Sequence, residues 1–213
     1  MYVPAAFQQT DTVELFEFIR TYGFATVITQ QSRESQEANN TPGMTATHLP
    51  VLLEEGHGPF GRLVGHFAKA NDQALDFGQE ALVIFAGPHA YISPTWYAAP
   101  NTVPTWNYVA VHAYGVLKEV TDRQRLATIL RSTVHKYESS RSNPWSFDAE
   151  TDFHQKLMDG IIGFEIEISK LQGKWKLNQN HPAERRKRVV AALQSQADQN
   201  SQEIARLMTQ VNR

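Results

Sequence analysis

The segment from residue 106 to residue 116 constrains the fold of this chain more than any other, because its side chains alternate with a period of two. One set of alternate positions is rich in rings and the other in small or branched groups: Trp106, Tyr108, His112 and Tyr114 against Asn107, Val109, Val111 and Ala113. Such alternation is typical of an extended strand whose two faces meet different surroundings. Strand-like patterns recur at residues 24–29, 44–53, 62–68, 81–86 and 162–168. Because most of these segments follow one another in hairpin-like succession, the sequence predicts an antiparallel barrel of about six strands.

Helical patterns stand at the beginning, the middle and the end of the chain. Asp11 is placed to cap a helix over residues 12–22, and Gly23 stands where a left-handed residue commonly ends one. Other helices are expected over 72–78, from Thr121 or Asp122, over 150–158 and from Pro182 almost to the terminus. The polar residues 30–43 indicate an exposed loop. We therefore expect one α+β domain, a barrel with flanking helices over residues 1–180, and a helical extension of the same domain over residues 181–213.

The composition narrows the class of protein. The chain has 20 basic and 22 acidic side chains and a formal net charge of −2, which is unlike the positive excess of a dedicated nucleic-acid binder. It has no cysteine, so disulfides and thiolate metal sites are excluded. No run approaches the roughly 18 apolar residues of a membrane span, and the first residues lack the pattern of a secretory signal. The sequence therefore predicts a cytoplasmic protein with no membrane partner.

Two motifs with functional associations have simpler explanations. Gly56, Gly58 and Gly61 match the glycine pattern of dinucleotide-binding loops, but a strand rather than a helix is expected after them, so we interpret the segment as a hairpin turn. The 8 histidines include no pair at the helical spacing of a zinc site. Three of them lie on predicted strands: His48, His66 and His112. Either each is a hydrogen-bonded, half-buried histidine, or the three converge as a metal or haem ligand set.

The most basic run of the chain opens the C-terminal helix and comprises Arg185, Arg186, Lys187 and Arg188. Such residues contact phosphates when a helix lies on DNA. The alternative is a solvated helix face, which the net charge of the chain favours. If DNA is bound directly, this run is predicted to supply the phosphate contacts.

Residues 87–97 and 103–115 concentrate a class of side chain that an ordinary core avoids, since they mix indole and phenol rings with hydroxyls and an amide. The rings come from Tyr91, Trp96, Tyr97, Trp106, Tyr108 and Tyr114, and the polar groups from Ser93, Thr95, Thr105 and Asn107. A flat heteroaromatic ligand requires this mixture, with aromatic walls for its ring and polar groups for its edge. We therefore predict a site for such a ligand in the middle of the chain.

Longer motifs extend this prediction to a family. They are MYVP at residues 1–4, THLP at 47–50, GHFAKAN at 65–71, GPHAYISPTWY at 87–97, VPTWNYVAVHAYG at 103–115 and KLNQN at 176–180. In these motifs the chain resembles the FMN-binding negative transcriptional regulators of the PaiB type. The resemblance implies the split-barrel fold of the pyridoxamine-phosphate-oxidase-like flavoproteins, a homodimer, and an FMN at the subunit interface.

The resemblance also implies roles for individual residues. Thr47, His48 and Leu49 would line the flavin, while His66 and Lys69 would meet its phosphate. Contacts with the ring, some of them from a partner subunit, are implied for Trp106, Asn107, Lys176 and Gln179. No catalytic residue is assigned, because flavin chemistry belongs to the cofactor. A flavin-dependent oxidoreductase or a haem-binding or haem-degrading protein on the same barrel is the alternative.

Overall fold

The computed structural model describes residues 1–31 and 43–211, so most of the loop predicted at 30–43 lies outside the described residues. The strands in these ranges are β1 (Gln8–Gln9), β2 (Phe24–Gln30), β3 (Met44–Pro50), β4 (Leu52–Glu54), β5 (Arg62–Ala68), β6 (Glu80–Ile92), β7 (Thr105–Val120) and β8 (Ile161–Lys176). The α-helices are α1 (Thr12–Thr21), α2 (Arg123–Glu138), α3 (Asp152–Met158), α4 (Ala183–Gln194) and α5 (Gln199–Gln210). Short 3-10 helices lie at Ala5–Phe7, Asp72–Asp76 and Pro94–Tyr97.

The strands form one sheet in the hydrogen-bonded order β3-β2-β6-β7-β8-β5-β4, and β1 pairs with β8. Strand β2 is antiparallel to β3 and β6, so that Val27 lies opposite both Thr47 and Val83. Strand β5 is antiparallel to β4 and β8. An antiparallel sheet with helices confirms the predicted α+β class. The described sheet has eight strands rather than about six, because β1 is too short to show a period in the sequence and the strand predicted at 44–53 divides into β3 and β4.

By its contacts the chain divides into two compact units, which we describe separately. Unit 1 comprises Met1–Phe18, Ala86–Val111 and Gln172–Arg213, and unit 2 comprises Ile19–Phe85 and His112–Leu171. Strands β6, β7 and β8 contribute residues to both units, because the boundaries fall within them. The organisation expected from the sequence, a domain over residues 1–180 with a helical extension at 181–213, stays a prediction.

Unit 2 contains an apolar and a polar group of buried side chains. The apolar group consists of Leu52, Val64, Val120, Leu126, Ala127, Ile129, Ala149 and Met158. In the polar group, Thr29 Oγ1 donates to Asp76 Oδ2 at 2.6 Å, and Gln73 Nε2 donates to Thr29 Oγ1 at 2.9 Å. These bonds fasten the 3-10 helix Asp72–Asp76 to β2, since buried polar groups are stable when they are paired.

Unit 1 includes the two C-terminal helices, which were predicted from their apolar spacing. Their buried apolar side chains are Val189 and Leu193 of α4 and Ile204, Ala205 and Met208 of α5. Helix α4 begins directly after Pro182, and Asp198 caps α5 by accepting from Ser201 N at 2.8 Å. The helical pattern predicted for the end of the chain is therefore confirmed.

The end of the first helix corrects one prediction. Asp11 caps α1 as expected, since its Oδ1 accepts from the backbone N–H of Val13 at 2.8 Å. Gly23 is not among the described glycines with positive φ, so the predicted left-handed helix end is wrong. A close approach favours glycine there: a Cβ built at this position would lie 3.1 Å from the backbone oxygen of Val51, and 2.5 Å from Lys136 Nζ, the end of a side chain that can move aside. Val51 donates its N–H to Gly23 O at 2.8 Å, which keeps the two backbones together.

The turn between β4 and β5 confirms the hairpin interpretation of the glycine motif. Gly56, Gly58 and Gly61 have φ of +81°, +61° and +78°, a region in which residues with a Cβ are strained. Strands β4 and β5 pair antiparallel on either side of the turn. A strand therefore follows the motif, and the helix N-terminus that a dinucleotide pyrophosphate requires is not present there.

Other differences between the predicted and the observed strands concern their length. The strand predicted at 44–53 divides at the buried Val51 into β3 and β4. The strand predicted at 81–86 is the apolar centre of β6, which has 13 residues. Its outer part mixes polar and apolar residues, so the sequence pattern underestimates it. No helix in the described part of the chain is long and apolar enough to cross a membrane.

Candidate cofactor site

Three of the predicted site residues are consecutive on β3 in unit 2. His48 is exposed, whereas Leu49 is buried, with 6% of its surface exposed. Thr47 Oγ1 accepts from Asn71 Nδ2 at 3.0 Å, and His48 Nδ1 lies 2.9 Å from Thr26 Oγ1. Because side chains alternate along a strand, Thr47 and Leu49 share one face and His48 lies on the other. The structure therefore places the three predicted residues on β3 but not on one surface.

His66 and Lys69 lie on β5 and just beyond its end. Burial lowers the pKa of the His66 imidazole, so this ring is neutral near pH 7 and offers a hydrogen bond rather than a charge. Lys69 is exposed, and its backbone N–H donates to Gly160 O at 2.9 Å. The Lys69 side chain lines a cavity of about 260 Å³ together with Arg123 and Asp159. Lys69 is therefore the predicted site residue of unit 2 that carries a positive charge.

Asn71 is a residue that the sequence reasoning missed. Its Oδ1 accepts from Gln73 N at 2.9 Å and begins the 3-10 helix that follows β5. Its Nδ2 holds the Thr47 hydroxyl, on a strand 24 residues earlier. An asparagine before a helical turn is a recognisable cap, but the bond with Thr47 depends on how β3 and the end of β5 come together. Asn71 thus positions one of the predicted flavin contacts.

The other predicted site residues lie in unit 1, and two of them are neighbours on β7. Trp106 is 52% exposed, and its ring centroid lies 5.9 Å from that of Tyr91 and 6.0 Å from that of His89. Asn107 is fully buried on the opposite face, where its Nδ2 lies 3.4 Å from Met208 Sδ of α5. The Asn107 Oδ1 atom has no hydrogen-bond partner in the described part of the chain. Trp106 is therefore open to a ligand, whereas Asn107 is covered by the C-terminal helix.

Lys176 and Gln179 end β8 and form the turn after it. Lys176 Nζ donates to Thr105 Oγ1 and, at 2.8 Å, to Trp106 O. Gln179 Oε1 accepts from Leu177 N at 2.7 Å, and its Nε2 donates to Trp175 O. Gln179 therefore stabilises a turn of its own chain, in which Asn178 has a φ of +62°.

The basic run of α4 makes contacts inside unit 1. Arg185 lies 5.3 Å from the centroid of the Tyr97 ring and 3.0 Å from His181 Nδ1, and Arg188 donates to Tyr97 O at 3.1 Å. Lys187 pairs with Glu184 at 2.9 Å. Lys187 and Arg188 are exposed, while Arg185 and Arg186 are half-buried. The structure brings the four residues onto one short helical segment, and two of the guanidinium groups already hold the 3-10 helix Pro94–Tyr97.

The histidine alternative receives no support in the described ranges. No group of three or more His, Asp or Glu side chains within residues 1–31 and 43–211 is arranged to hold a metal ion. Burial lowers the pKa of His112, as it does for His66. Both rings are half-buried, and His112 Nδ1 has no hydrogen-bond partner among the described residues. The choice between the two interpretations of these histidines stays a prediction.

A second cavity of unit 2, about 680 Å³ in volume, has a mainly apolar lining. Its walls come from β2, β6, β7 and β8 and include Ile28, Leu82, Tyr114, Val116 and Lys170. A volume of this size falls in the range of small-molecule sites. Its lining contains none of the predicted site residues.

Comparison with known proteins identifies the family. Residues 1–170 match the model of a family described as "Putative FMN-binding domain". The chain belongs to this FMN-binding family. It is 35% identical over 211 residues to the protease synthase and sporulation protein PAI 2 of Bacillus subtilis, an alignment that covers 98% of this chain and 96% of that relative. The family predicted from the sequence motifs is thereby confirmed.

Solved structures of other proteins share the fold. The FAD and haem binding protein of Mycobacterium smegmatis superposes with a TM-score of 0.58 at 14% identity, over 87% of this chain and 79% of that one. The flavocytochrome Anf3 of Azotobacter vinelandii superposes with a TM-score of 0.55 at 16% identity, over 79% of this chain and 69% of that one. At such identities the likeness concerns the fold alone, and it agrees with the predicted fold class.

Proposed function

We propose that this protein binds FMN and acts as a negative regulator of transcription. The observation that carries the proposal is the match of residues 1–170 to the FMN-binding family. The similarity to PAI 2 over nearly the whole of both chains supports the regulatory part. Because a regulator of transcription acts where the DNA is, the proposal includes a cytoplasmic location.

The chemistry of the predicted residues fits FMN. A phosphate dianion needs fixed donors and positive charge, and Lys69 offers the charge while the neutral His66 ring and the Thr47 hydroxyl offer hydrogen bonds. When bound, FMN supplies the oxidation–reduction chemistry of its ring system. The chain's own residues would bind and orient the cofactor, and none is assigned as an acid or a base.

Titration of the purified protein with FMN tests the proposal, with flavin fluorescence and the visible absorption spectrum as readouts. One bound flavin per chain supports it, whereas the spectrum of a haem protein or an absence of bound flavin contradicts it. Lys69→Ala is expected to weaken FMN binding by about tenfold or more, since a charge-assisted phosphate contact is lost. The matched control is Lys118→Ala, an exposed lysine of β7, which should leave the FMN affinity unchanged. An unchanged dissociation constant in Lys69→Ala would remove Lys69 from the site.

We also propose that the protein is a homodimer. Large apolar side chains are exposed in each unit: Tyr91 (47%) and Trp106 (52%) in unit 1, and Phe24 (67%) and Met44 (65%) in unit 2. Association would remove such surfaces from water. Sedimentation equilibrium at micromolar concentration should give twice the chain mass of 24.1 kDa. A chain that sediments only as a monomer contradicts this part of the proposal.

Direct contact with DNA is the part of the regulatory proposal that rests on Arg185, Arg186, Lys187 and Arg188. If two subunits together neutralise about six phosphates, the logarithm of the binding constant should fall with the logarithm of the salt concentration with a slope near −5. Replacement of Arg185, Arg186 and Arg188 by Gln should flatten this slope and weaken binding to every sequence alike. The same exchange at Lys118, Arg131 and Lys156 is the control. A wild-type slope in the α4 variant would contradict the assignment.

A further inference from the structure

Lys174 of β8 is a nearly buried cation without a counter-charge among the residues that the structure describes. Only 7% of its surface is exposed, and its Nζ donates to Tyr2 O at 3.0 Å. The ammonium lies over two phenol rings, 5.0 Å from the centroid of Tyr108 and 5.7 Å from that of Tyr2. An ammonium group has three N–H donors, and a buried charge is costly unless it is paired. Among the described residues, Lys174 forms no ion pair, so its charge is balanced by aromatic faces and one carbonyl.

A second lysine adds to the same charge. Lys176 lies two residues further along β8, and therefore on the same face of the strand as Lys174. Its partners, the Thr105 hydroxyl and the Trp106 carbonyl, are neutral. Burial lowers the pKa of Lys176, and the charge of Lys174 lowers it further. Two ammonium groups thus stand close together with no described carboxylate to offset them.

An exposed aromatic surface adjoins this pair. Lys176 binds the backbone carbonyl of Trp106, whose indole is half exposed. Tyr91, 47% exposed, meets the Trp106 ring nearly edge-on with an interplanar angle of 71°. Flat rings at the surface bind other flat rings by stacking or edge contact. Unit 1 therefore presents uncompensated positive charge next to rings that are open to solvent.

We propose that Lys174, Lys176 and Trp106 form a binding site for a planar aromatic carboxylate. The ligand ring packs on the Trp106 indole beside Tyr91, and the carboxylate supplies the counter-charge that the two ammonium groups lack. A neutral aromatic compound can pack on Trp106 but supplies no counter-charge. A small anion without a ring supplies the counter-charge but has no ring to pack. The site goes beyond the proposed function because its ligand is a molecule other than FMN. Since Trp106 and Lys176 are also implied as flavin contacts, the test has to separate the two ligands.

Benzoate is the probe, and isothermal titration calorimetry of the wild-type protein with and without FMN is the measurement. We expect benzoate to bind under both conditions, and benzyl alcohol, acetate and inorganic phosphate to bind at least about tenfold more weakly. Lys176→Gln should weaken benzoate binding by at least about tenfold, and Lys176→Arg should restore most of it because the charge returns. Lys118→Gln is the control and should bind benzoate as the wild type does. Lys174→Met is a second test of the same charge, with circular dichroism as a check of the fold in every variant.

Several results would overturn the inference. They are no benzoate binding by the wild type, equal binding of acetate or phosphate, and an unchanged benzoate affinity in a folded Lys176→Gln variant. Displacement of benzoate by FMN would also overturn it, because the surface would then belong to the flavin. These results are distinct from a failure of the proposed function. A protein that binds FMN but not benzoate refutes only this inference, and one that binds benzoate but not FMN refutes only the proposed cofactor.

Discussion

Two charged clusters, one in each unit, differ in their balance of charge. In unit 2, two guanidinium groups and two carboxylates form an ion-pair network: Arg62 lies 2.8 Å from Glu54 and 3.0 Å from Glu165, and Arg125 lies 2.6 Å from Glu54. In unit 1, the hydrogen-bond partners of Lys174 and Lys176 are all neutral within residues 1–31 and 43–211. The network of unit 2 is complete within the chain, whereas the lysine pair is completed only by an anion from outside. The first cluster is thus explained by folding and the second by binding.

The direction of the pKa shifts supports the same distinction. Burial acts to raise the pKa of Glu54, but hydrogen bonds from Arg125 and Arg62 outweigh it, so the pKa is lowered. Burial lowers the pKa of Lys176, and the neighbouring charge of Lys174 adds to the effect. In the network of unit 2 the neighbours favour the charged form, and in the lysine pair they oppose it.

We expect the largest effect from a substitution that breaks the ion-pair network of unit 2. Glu54→Gln leaves two partly buried guanidinium groups with one carboxylate, and should lower the free energy of unfolding by about 2 kcal/mol. Urea denaturation measures the change. The control is Glu55→Gln: Glu55 pairs with Arg20 at the surface and is 57% exposed, so its loss should cost less than about 0.5 kcal/mol. Equal losses in the two variants would show that the network contributes nothing specific.

Acid should act on the same carboxylate. Because the pKa of Glu54 is lowered in the folded protein, the unfolded chain binds its proton first as the pH falls below the unfolded value of about 4.3. The contribution of Glu54 is therefore present above that pH and is lost as the pH falls through the folded pKa. Urea midpoints measured against pH should show that the wild type and Glu54→Gln converge in acid. A difference that stays constant from neutral pH down to pH ~3 would contradict the shift.

Removal of a charge from the lysine pair should change the free energy of unfolding less than removal of the Glu54 charge does. Lys174→Met removes a buried charge that has no counter-ion among the described residues, and it keeps most of the apolar volume. The free energy of unfolding should therefore change by no more than about 1 kcal/mol. The lost bond with Tyr2 O and the lost contact with the Tyr108 ring are offset by the desolvation that is no longer required. Urea denaturation of this variant and of Glu54→Gln compares the two changes in the free energy of unfolding directly. A loss as large as that of Glu54→Gln would make Lys174 a structural residue of unit 1.

The smallest expected effect is a difference in how added salt changes the stability of the wild type and the two variants. High ionic strength screens the attraction within the network of unit 2 and the repulsion between the two lysines. We therefore expect added sodium chloride to stabilise wild type more than Lys174→Met, and Glu54→Gln more than wild type, by roughly 0.5 kcal/mol in each case. Thermal melts over a salt series measure these differences. Parallel salt dependence in all three proteins would remove the electrostatic contrast between the clusters.

The sequence predicted the elements better than it predicted the surroundings of individual side chains. The bounds of β5 and the start of α1 agree with the expectations, and Asp122 caps α2 as proposed, since its Oδ1 accepts from Gln124 N at 2.9 Å. These features depend on residues close together in the chain. The prediction for Gly23 was wrong because the surroundings of this residue include Val51 and Lys136, which are distant in sequence.

The candidate site shows the same limit. The family followed from the motifs, and Trp106, a predicted site residue, is half exposed. Lys174 was not singled out, although it stands two residues before Lys176, because a lone lysine on a strand gives no sign that it will be buried. Asn71 was missed for the related reason that its bond with Thr47 joins two separate strands. The roles of the predicted residues in holding the flavin stay predictions.

By itself the sequence determined the alternation of β7, the caps and periods of the helices, and the motifs that place the chain in its family. Only the tertiary structure decided what covers each face. Asn107 and Trp106 are neighbours in the same strand, yet one is fully buried against Met208, 101 residues later, and the other is half exposed. A two-residue period fixes that they point in opposite directions. Which direction meets a helix and which meets solvent depends on packing between distant segments, and no local pattern encodes it.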